Sequence, residues 1–299
     1  MKSQSAMEYL MTYGWAILVI AVVLAALYSL GIFNPSSFSP KASAGSCEVV
    51  RPFGPTTTTD VHLEGTCTNM LPKYVSVFNG QNTYVNANLS RVFKDEGQPF
   101  TITIWQYNEK GTDCEDSELR LTSNGHPLFR VGLSGTGGLD SFPANDEEMF
   151  ELWNNGGSQY NYFGNKSTNL NTWYFLTFTY NGSYVKADID ANPDLNDDFG
   201  KTNTGGNIIR FGTDLGTGCN DLFDGMMANV QIYNTALSTG QVEHLYQEGI
   251  GGDPIDLTHL VGWWPFNGNA NDYSGNDYDG KVSGTIGYSS TWYTAYSAP

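Results

Sequence analysis

Glu147, Glu148 and Glu151 are the carboxylate cluster nearest to a catalytic pair. Two carboxyls flanking a glycosidic bond can cleave it, one protonating the leaving oxygen while the other attacks or activates water, at separations of roughly 5 to 9.5 Å. That arrangement wants the acids alternating along one strand face, and offsets of one and three residues do not put all three there. The cluster therefore reads as a solvated loop. The sequence has no Gly-x-Ser-x-Gly elbow, phosphate loop or dinucleotide fingerprint, and the chain is read as a non-enzyme.

Two Asx-rich loops suit a hard cation better, because calcium takes six to eight oxygens at loosely fixed angles. The first runs from Asn271 to Gly280 and offers Asn271, Asp272, Asp277 and Asp279; the second offers Asp188, Asp190 and Asp194. The second has oxygens at EF-hand-like offsets but carries Pro193 where an EF-hand needs glycine and Phe199 where it needs glutamate, so it is not one. Calcium is the cofactor these loops suggest, against the alternative of plain Asx turns. Four histidines, at 62, 126, 244 and 259, show no metal-ligand spacing, and no CxxC occurs. Exposed aromatic rings beside amides can bind sugars, and Trp153, Asn155, Tyr160 and Tyr162 offer that mixture in a Gly-rich segment.

Composition narrows the partners. Against 14 Lys plus Arg stand 31 Asp plus Glu, a formal charge of −17, which leaves no basic stripe for nucleic acid. Charged residues make up 15% of the chain, so much of the wetted surface must be Asn, Ser, Thr, Gly and Tyr, as in exported β-proteins. Sequons at Asn88, Asn165 and Asn181 would be glycosylation acceptors in such a chain. Of the four cysteines, Cys47 and Cys67 lie close in sequence and are paired, leaving Cys114 with Cys219.

The elements that must position these groups are mostly strands. Phe100–Trp105, Trp173–Tyr180 and Asn229–Tyr233 alternate apolar and polar residues between Gly, Asn and Asp turns. One helix is expected after Ser238, which caps it with Gln241 three residues on; Val242, Leu245 and Tyr246 share a face and Gly249 stops it. Many strands with one short helix indicate a jelly-roll β-sandwich. Residues 34–46, rich in Pro, Ser and Ala, read as a linker to a head at 47–299.

Ahead of the linker, Ala16 to Phe33 carries no charge and, with Tyr13 to Trp15, has about the 20 apolar residues a bilayer-spanning helix needs. Lys2 precedes it, on the side that stays cytoplasmic. Glu8 stands at the head of this run, and a carboxylate in an apolar zone costs roughly 2.5 to 3.5 kcal/mol on insertion scales unless something pairs with it.

The opening Gln4-Ser5-Ala6-Met7-Glu8-Tyr9-Leu10 followed by that run resembles an archaeal type IV pilin with a class III signal peptide. The resemblance implies cleavage between Ser3 and Gln4, a leader of residues 1–3, and a filament-core helix at 4–33. It also implies that Glu8 pairs with the new amine of Gln4 on a neighbouring subunit. Ser3 stands where the family has Gly. The run Phe223 to Ser238 with Val242 to Tyr246, the block Val77 to Val85 and the segment Phe100 to Trp105 resemble laminin-G-like, concanavalin-A-like jelly rolls. Leu260 to Asn276 resembles that family's opening strand and its D-x-SGN loop, displaced to the C-terminal side as in a circular permutation. This second resemblance implies glycan recognition by the head and structural calcium in the 271–280 loop.

Together these readings describe a subunit of an extracellular archaeal filament, inserted in the cytoplasmic membrane before assembly and displaying a lectin-like head for adhesion. Its partners would be further copies of itself, the prepilin peptidase and membrane assembly machinery, and surface glycans. The alternatives are an anchored carbohydrate-binding ectodomain that never polymerises and an anchored polysaccharide-acting enzyme.

Overall fold

The computed structural model describes residues 4–29, 39–89, 92–109, 116–123, 126–133, 147–154, 156–203, 207–213 and 222–299. It divides into two units, residues 1–39 and 40–299. In the first, helix α1 spans Gln4–Ser29, and its described side chains from 13 to 26 are all exposed, among them Trp15, Ile17 and Val22. Among the described residues no helix is long and apolar enough to cross a membrane; of the expected span at 13–33, residues 30–33 lie outside the described residues. Glu8 and Gln4 lie on α1, their side chains outside the described set, as are Ser3, Cys114, Cys219 and Asn155.

The second unit is a β-sandwich. Its seven-stranded sheet runs, in spatial order, Gln159–Ser167, Glu147–Trp153, His126–Leu133, Asp116–Ser123, Ile208–Phe211, Tyr84–Asn88 and Lys281–Ser283. Its eight-stranded sheet runs Asn192–Asp198, Tyr184–Ile189, Trp173–Tyr180, Phe100–Asn108, Asp224–Tyr233, Val75–Asn79 and Gly287–Ser289, with Leu260–Trp264 as the remaining member. Leu260–Trp264 pairs antiparallel with Val230–Tyr233, beyond the point where Val75–Asn79 leaves off beside Asp224–Met227. The displaced opening strand thus lies against the closing strand. A register shift between Ala228 and Gln231, with Asn229 at φ 48°, marks the changeover.

Apolar side chains from the facing sides of both sheets interdigitate, including Val85, Phe100, Phe129, Phe150, Phe178, Phe211 and Trp264. A second core lies on the far side of the eight-stranded sheet. There Trp105, Trp173, Phe175, Trp263 and Leu260 meet Val242 and Leu245 of helix α2, Thr239–Glu248, and Trp292 and Tyr296 from the C-terminal segment. Helix α2 forms where expected: Ser238 and Gln241 make both bonds of a capping box, and Gly249 at φ 77° ends it. Tyr246 stacks on Trp105 with ring centroids 6.0 Å apart. One sheet is therefore covered on both faces, and Trp263 and Trp264, adjacent in sequence, are both buried, one in each core.

Residues 40–46 of the expected linker belong to the head, with Lys41–Ala42 pairing parallel to Leu71–Pro72. Cys47–Val50 and His62–Gly65 form a two-stranded ribbon tied by the expected Cys47–Cys67 disulfide. Arg51 anchors this ribbon to the loops around the opening strand: its Nε donates to the carbonyl of Ser274 (3.0 Å), and Nη2 to those of Leu257 (2.9 Å) and Leu260 (3.0 Å).

Candidate binding face

With the far side of the eight-stranded sheet occupied, the outer side of the seven-stranded sheet becomes the place to look for a site. Its residues are set by alternation: Leu119, Leu121, Phe129, Val131, Phe150, Leu152, Ile209 and Phe211 point into the core, so Arg120, Arg130, Glu151 and Arg210 between them point outward. Pairing register aligns them. Lys281 lies opposite Asn86, Asn86 opposite Arg210, Arg210 opposite Arg120, Arg120 opposite Arg130, Arg130 opposite Glu151, and Glu151 opposite Asn161. A single line of polar residues crosses the sheet at right angles to the strands.

Within this line Arg130 and Glu151 make a two-pronged ion pair, Nε to Oε2 at 2.6 Å and Nη2 to Oε1 at 2.9 Å, and both are almost fully enclosed. Gln159 donates to the same Oε1 at 2.9 Å. Breaking a buried pair by removing one partner costs several kcal/mol because the other charge is stranded, so this pair is a rigid anchor. Arg120 and Arg210 are half-buried. The Arg120 guanidinium sits 6.0 Å from the ring centroid of Trp153, a cation–π distance, and Arg210 donates to Thr122 Oγ1 at 3.1 Å. The expected solvated loop around Glu147–Glu151 is in fact a strand, Glu147–Trp153, and Glu151 is fully buried.

The proposed sugar-contacting residues are split by this geometry. They lie on a hairpin rather than a loop: Trp153 pairs with Gln159, while Tyr160 pairs with Leu152 and Tyr162 with Phe150. Trp153 is therefore on the outer face with the arginines. Tyr160 and Tyr162 turn the other way and pack edge-on against Phe199 at 5.3 and 6.1 Å, and Tyr162 donates to the carbonyl of Asp198; burial, with Asp197 and other neighbours adding to it, pushes its hydroxyl pKa up to about 12.

The Asx loops are closed by hydrogen bonds. Asp272 Oδ1 accepts from the backbone N–H of Trp263 (3.0 Å) and Ser274 (2.9 Å), and Oδ2 from Ser274 Oγ (2.8 Å) and Tyr278 N–H (3.0 Å). Two carboxylate oxygens have about four acceptor positions, and all four are taken, so Asp272 does not fit as a calcium ligand. Asp279 accepts from the Asp272 N–H at 2.9 Å, and Asp277 and Asn271 are exposed. In the second loop Asp188 pairs with Lys186 (2.8 Å), Asp190 accepts from Phe175 N–H (2.9 Å) and Asp194 from Asn165 N–H (3.0 Å). Three carboxylates thus turn to three different partners, and among the described residues neither loop gathers three carboxylates as a metal-ligating group. Asn229 on the closing strand is buried beside the second core: its Oδ1 accepts from Trp263 Nε1 at 2.7 Å and its Nδ2 donates to the carbonyl of Gly252.

The three sequon asparagines are exposed. Asn165 Nδ2, the atom that would be glycosylated, donates to the carbonyl of Asp194. Asn181 holds a turn through its Oδ1, accepting from Ser183 and Tyr184 N–H, which leaves its Nδ2 pointing away from those bonds.

Asp253 lies half-buried by the Cys47–Cys67 disulfide, and burial, reinforced by Glu248, raises its carboxyl pKa to about 6. The folded head then binds this proton more tightly than the unfolded chain between the ordinary value of 3.8 and about 6, so stability is lost as pH rises through that window. Partial exposure reduces the effect to on the order of 1 kcal/mol. Asp253→Asn is expected to raise the thermal midpoint at pH 7.5 by a few degrees and leave it unchanged at pH 3.5, as measured by melting at both pH values.

The match to known proteins is consistent with this geometry. Residues 79–243 match a laminin G family model described as the concanavalin A-like lectin/glucanases superfamily. A Bacteroides ovatus protein provisionally assigned to carbohydrate binding superposes with a TM-score of 0.56 at 16% identity, over 76% of this chain and 66% of its own; the chain thus spans just under two thirds of that relative. A heptameric SAP-like pentraxin from Limulus polyphemus superposes with a TM-score of 0.51 at 13% identity, over 72% of this chain and 94% of its own. At such identities the likeness is one of fold. No curated protein sequence matches the chain.

Proposed function

Because the chain belongs to the concanavalin A-like lectin/glucanases superfamily, we propose that its head is a glycan-binding module and that α1 carries it into a surface filament. The observation supporting the first half is the polar line across the outer face of the seven-stranded sheet, flanked by Trp153. An indole beside fixed amide and guanidinium groups supplies the apolar platform and hydrogen-bond donors that pyranose rings use. Glu151 is held by Arg130 and Gln159, which suits an organising role rather than proton transfer, and the head is read as a binder and not a hydrolase. Binding of the full-length protein to a panel of immobilised polysaccharides, with Trp153→Ala as the comparison, tests this half.

The second half rests on the run of exposed apolar side chains on α1 from Tyr13 to Ala26. A helix apolar on every side needs a bilayer or neighbouring helices to cover it, and the pilin-like sequence around Gln4 and Glu8 supplies a reason for the latter. In this reading Ser3 and Gln4 flank the processing site, and Glu8 meets the amine of Gln4 in an adjacent copy. Glu8→Leu is expected to insert in the membrane normally and to lower the yield of sheared fibres about tenfold or more, the size of effect that stranding one charge produces. Fibres recovered at normal yield from that variant would refute the pairing. A mature N-terminus at Gln4 in sheared material would favour the filament; Met1 retained in detergent extracts would favour the anchored ectodomain.

A further inference from the structure

We propose that the head carries a second binding site, a polar cavity that takes a single neutral sugar ring, and that Thr58, Asp95 and Gln98 at its rim hold that ring. No residue of the polar line on the seven-stranded sheet, nor Trp153, contributes to it.

Five stretches of chain meet at this cavity: the loop of the disulfide-tied ribbon, the segment ahead of Phe100–Asn108, the end of the closing strand, the start of the opening strand and the 271–280 loop. The ribbon and the opening strand both lie outside the residues matched by the family model, 79–243, so the cavity is built in large part by what this chain adds. Its volume is about 210 Å³, room for on the order of seven waters and less than the roughly 300 to 1,000 Å³ of clefts that take larger ligands. One ring with its hydroxyls fits; a chain of rings does not.

The lining supplies what such a ring requires. Phe93, Leu260 and Val261 give buried apolar wall. Thr58, Lys94 and Asp95 are exposed and Gln98 is half-buried, and none of these four side chains bonds to another described residue. Deeper in, Arg51 spends four of its five N–H groups on the carbonyls of Thr57, Leu257, Leu260 and Ser274 and keeps one on Nη1. Asn234 has an enclosed Oδ1 that accepts from no described donor, and a buried acceptor of this kind calls for a partner. Donors and acceptors of both signs therefore border one small space. Hydroxyls, which donate and accept at once, match that mixture, whereas a free anion would meet Asp95 at the rim and a formal charge of −17 beyond it.

The backbone around the cavity is strained as well. Thr56 at φ 62° and Phe93 at φ 50° both occupy the left-handed region, which β-branched and bulky residues rarely enter. Asn276 pins the first of them by accepting the Thr56 N–H at 2.8 Å. Strain of this kind persists where the surrounding structure enforces it, and it gathers at ligand clamps.

The test is saturation-transfer NMR on the full-length protein with glucose, galactose, mannose and N-acetylglucosamine, alongside phosphorus line broadening with inorganic phosphate. At least one sugar is expected to bind. Asp95→Ala should weaken it about tenfold or more, as loss of a hydrogen bond to a charged group does; Gln98→Ala should weaken it several-fold, and Thr58→Trp, which plugs the mouth, should abolish it. Trp153→Ala should leave it unchanged. These rim residues are largely exposed, so unchanged melting curves are expected and separate loss of contact from loss of fold. Sugar binding lost in Trp153→Ala and untouched by the three rim variants would overturn the cavity site and leave the outer-face reading standing. Phosphate held without any sugar would make this an anion site at Arg51 and Lys94 and would also overturn the proposal, as would a folded protein that binds none of the probes.

Discussion

Trp264→Ala is expected to destabilise the head by about 4 kcal/mol, near the upper end for emptying a large aromatic site. Trp264 is fully buried, its ring 4.9 Å from that of Phe211, and its Nε1 donates to the carbonyl of Tyr278 at 3.1 Å. The ring also folds back over its own strand: a Cβ on Gly262 would lie 2.1 Å from it, so no other residue at 262 fits beneath it. The cavity left by alanine would open at the junction between the opening strand and the sandwich core, where neighbours on two sheets cannot both collapse into it. Against a typical total of 5 to 15 kcal/mol, much of the stability would go. Equilibrium denaturation should show a large fall in midpoint, whereas Tyr184→Ala, at an exposed position, should shift it by no more than about 0.5 kcal/mol. A loss below about 1.5 kcal/mol for Trp264→Ala would mean that the opening strand does not depend on this ring.

Asp272→Ala is expected to be almost as damaging, by a different route. Four donors converge on this carboxylate, three of them backbone N–H groups from the opening strand and the loop that follows. Removing the acceptor strands donors at about 1 to 3 kcal/mol for each one that water does not reach, so a loss of roughly 3 to 5 kcal/mol is expected. Asp272→Asn should recover part of it, since the amide keeps one acceptor oxygen but turns N–H groups toward donors. Denaturation curves taken with calcium and with chelator separate the hydrogen-bonded account from a metal-bound one. Superimposable wild-type curves are the expected result, and a midpoint raised by calcium and flattened in Asp272→Asn would overturn it.

The sandwich was legible because period-two alternation and turn residues are local signals, and so was α2, whose capping box and glycine stop are written within a dozen residues. What covers a strand is not local. Phe100–Trp105 alternates as a half-exposed strand would, yet Thr101 and Thr103 are buried because α2 and the C-terminal segment, far along the chain, close over that face. Thr101 shows how the polar positions are accommodated: its hydroxyl donates to the carbonyl of Thr235 and accepts from Leu237 N–H, each at 2.9 Å. The Asx loops illustrate a second limit. Asp, Asn, Ser and Gly at close spacing serve a cation or an Asx turn equally well, and only the direction of the backbone N–H groups decides between them.

The arginine line was overlooked although its signal is in the sequence. Leu119-Arg120-Leu121, Phe129-Arg130-Val131 and Ile209-Arg210-Phe211 each set one arginine between two apolar residues, which in a strand places the charge on one face and the core on the other. What the sequence does not contain is the register that brings the three opposite one another. Trp153, Tyr160 and Tyr162 failed as a set for the same reason: a hairpin sends residues of opposite parity to opposite faces.

The position of Leu260–Trp264 also has a temporal meaning. During synthesis the closing strand emerges before the strand that covers half of its edge, and Trp105 emerges before Trp292 and Tyr296 that shield it. A chain interrupted near residue 255 would present an unpaired edge and a wide aromatic surface, both prone to association. Pairings this distant along the chain form slowly, so the edge and the aromatic face stay uncovered until the segments beyond residue 255 reach them.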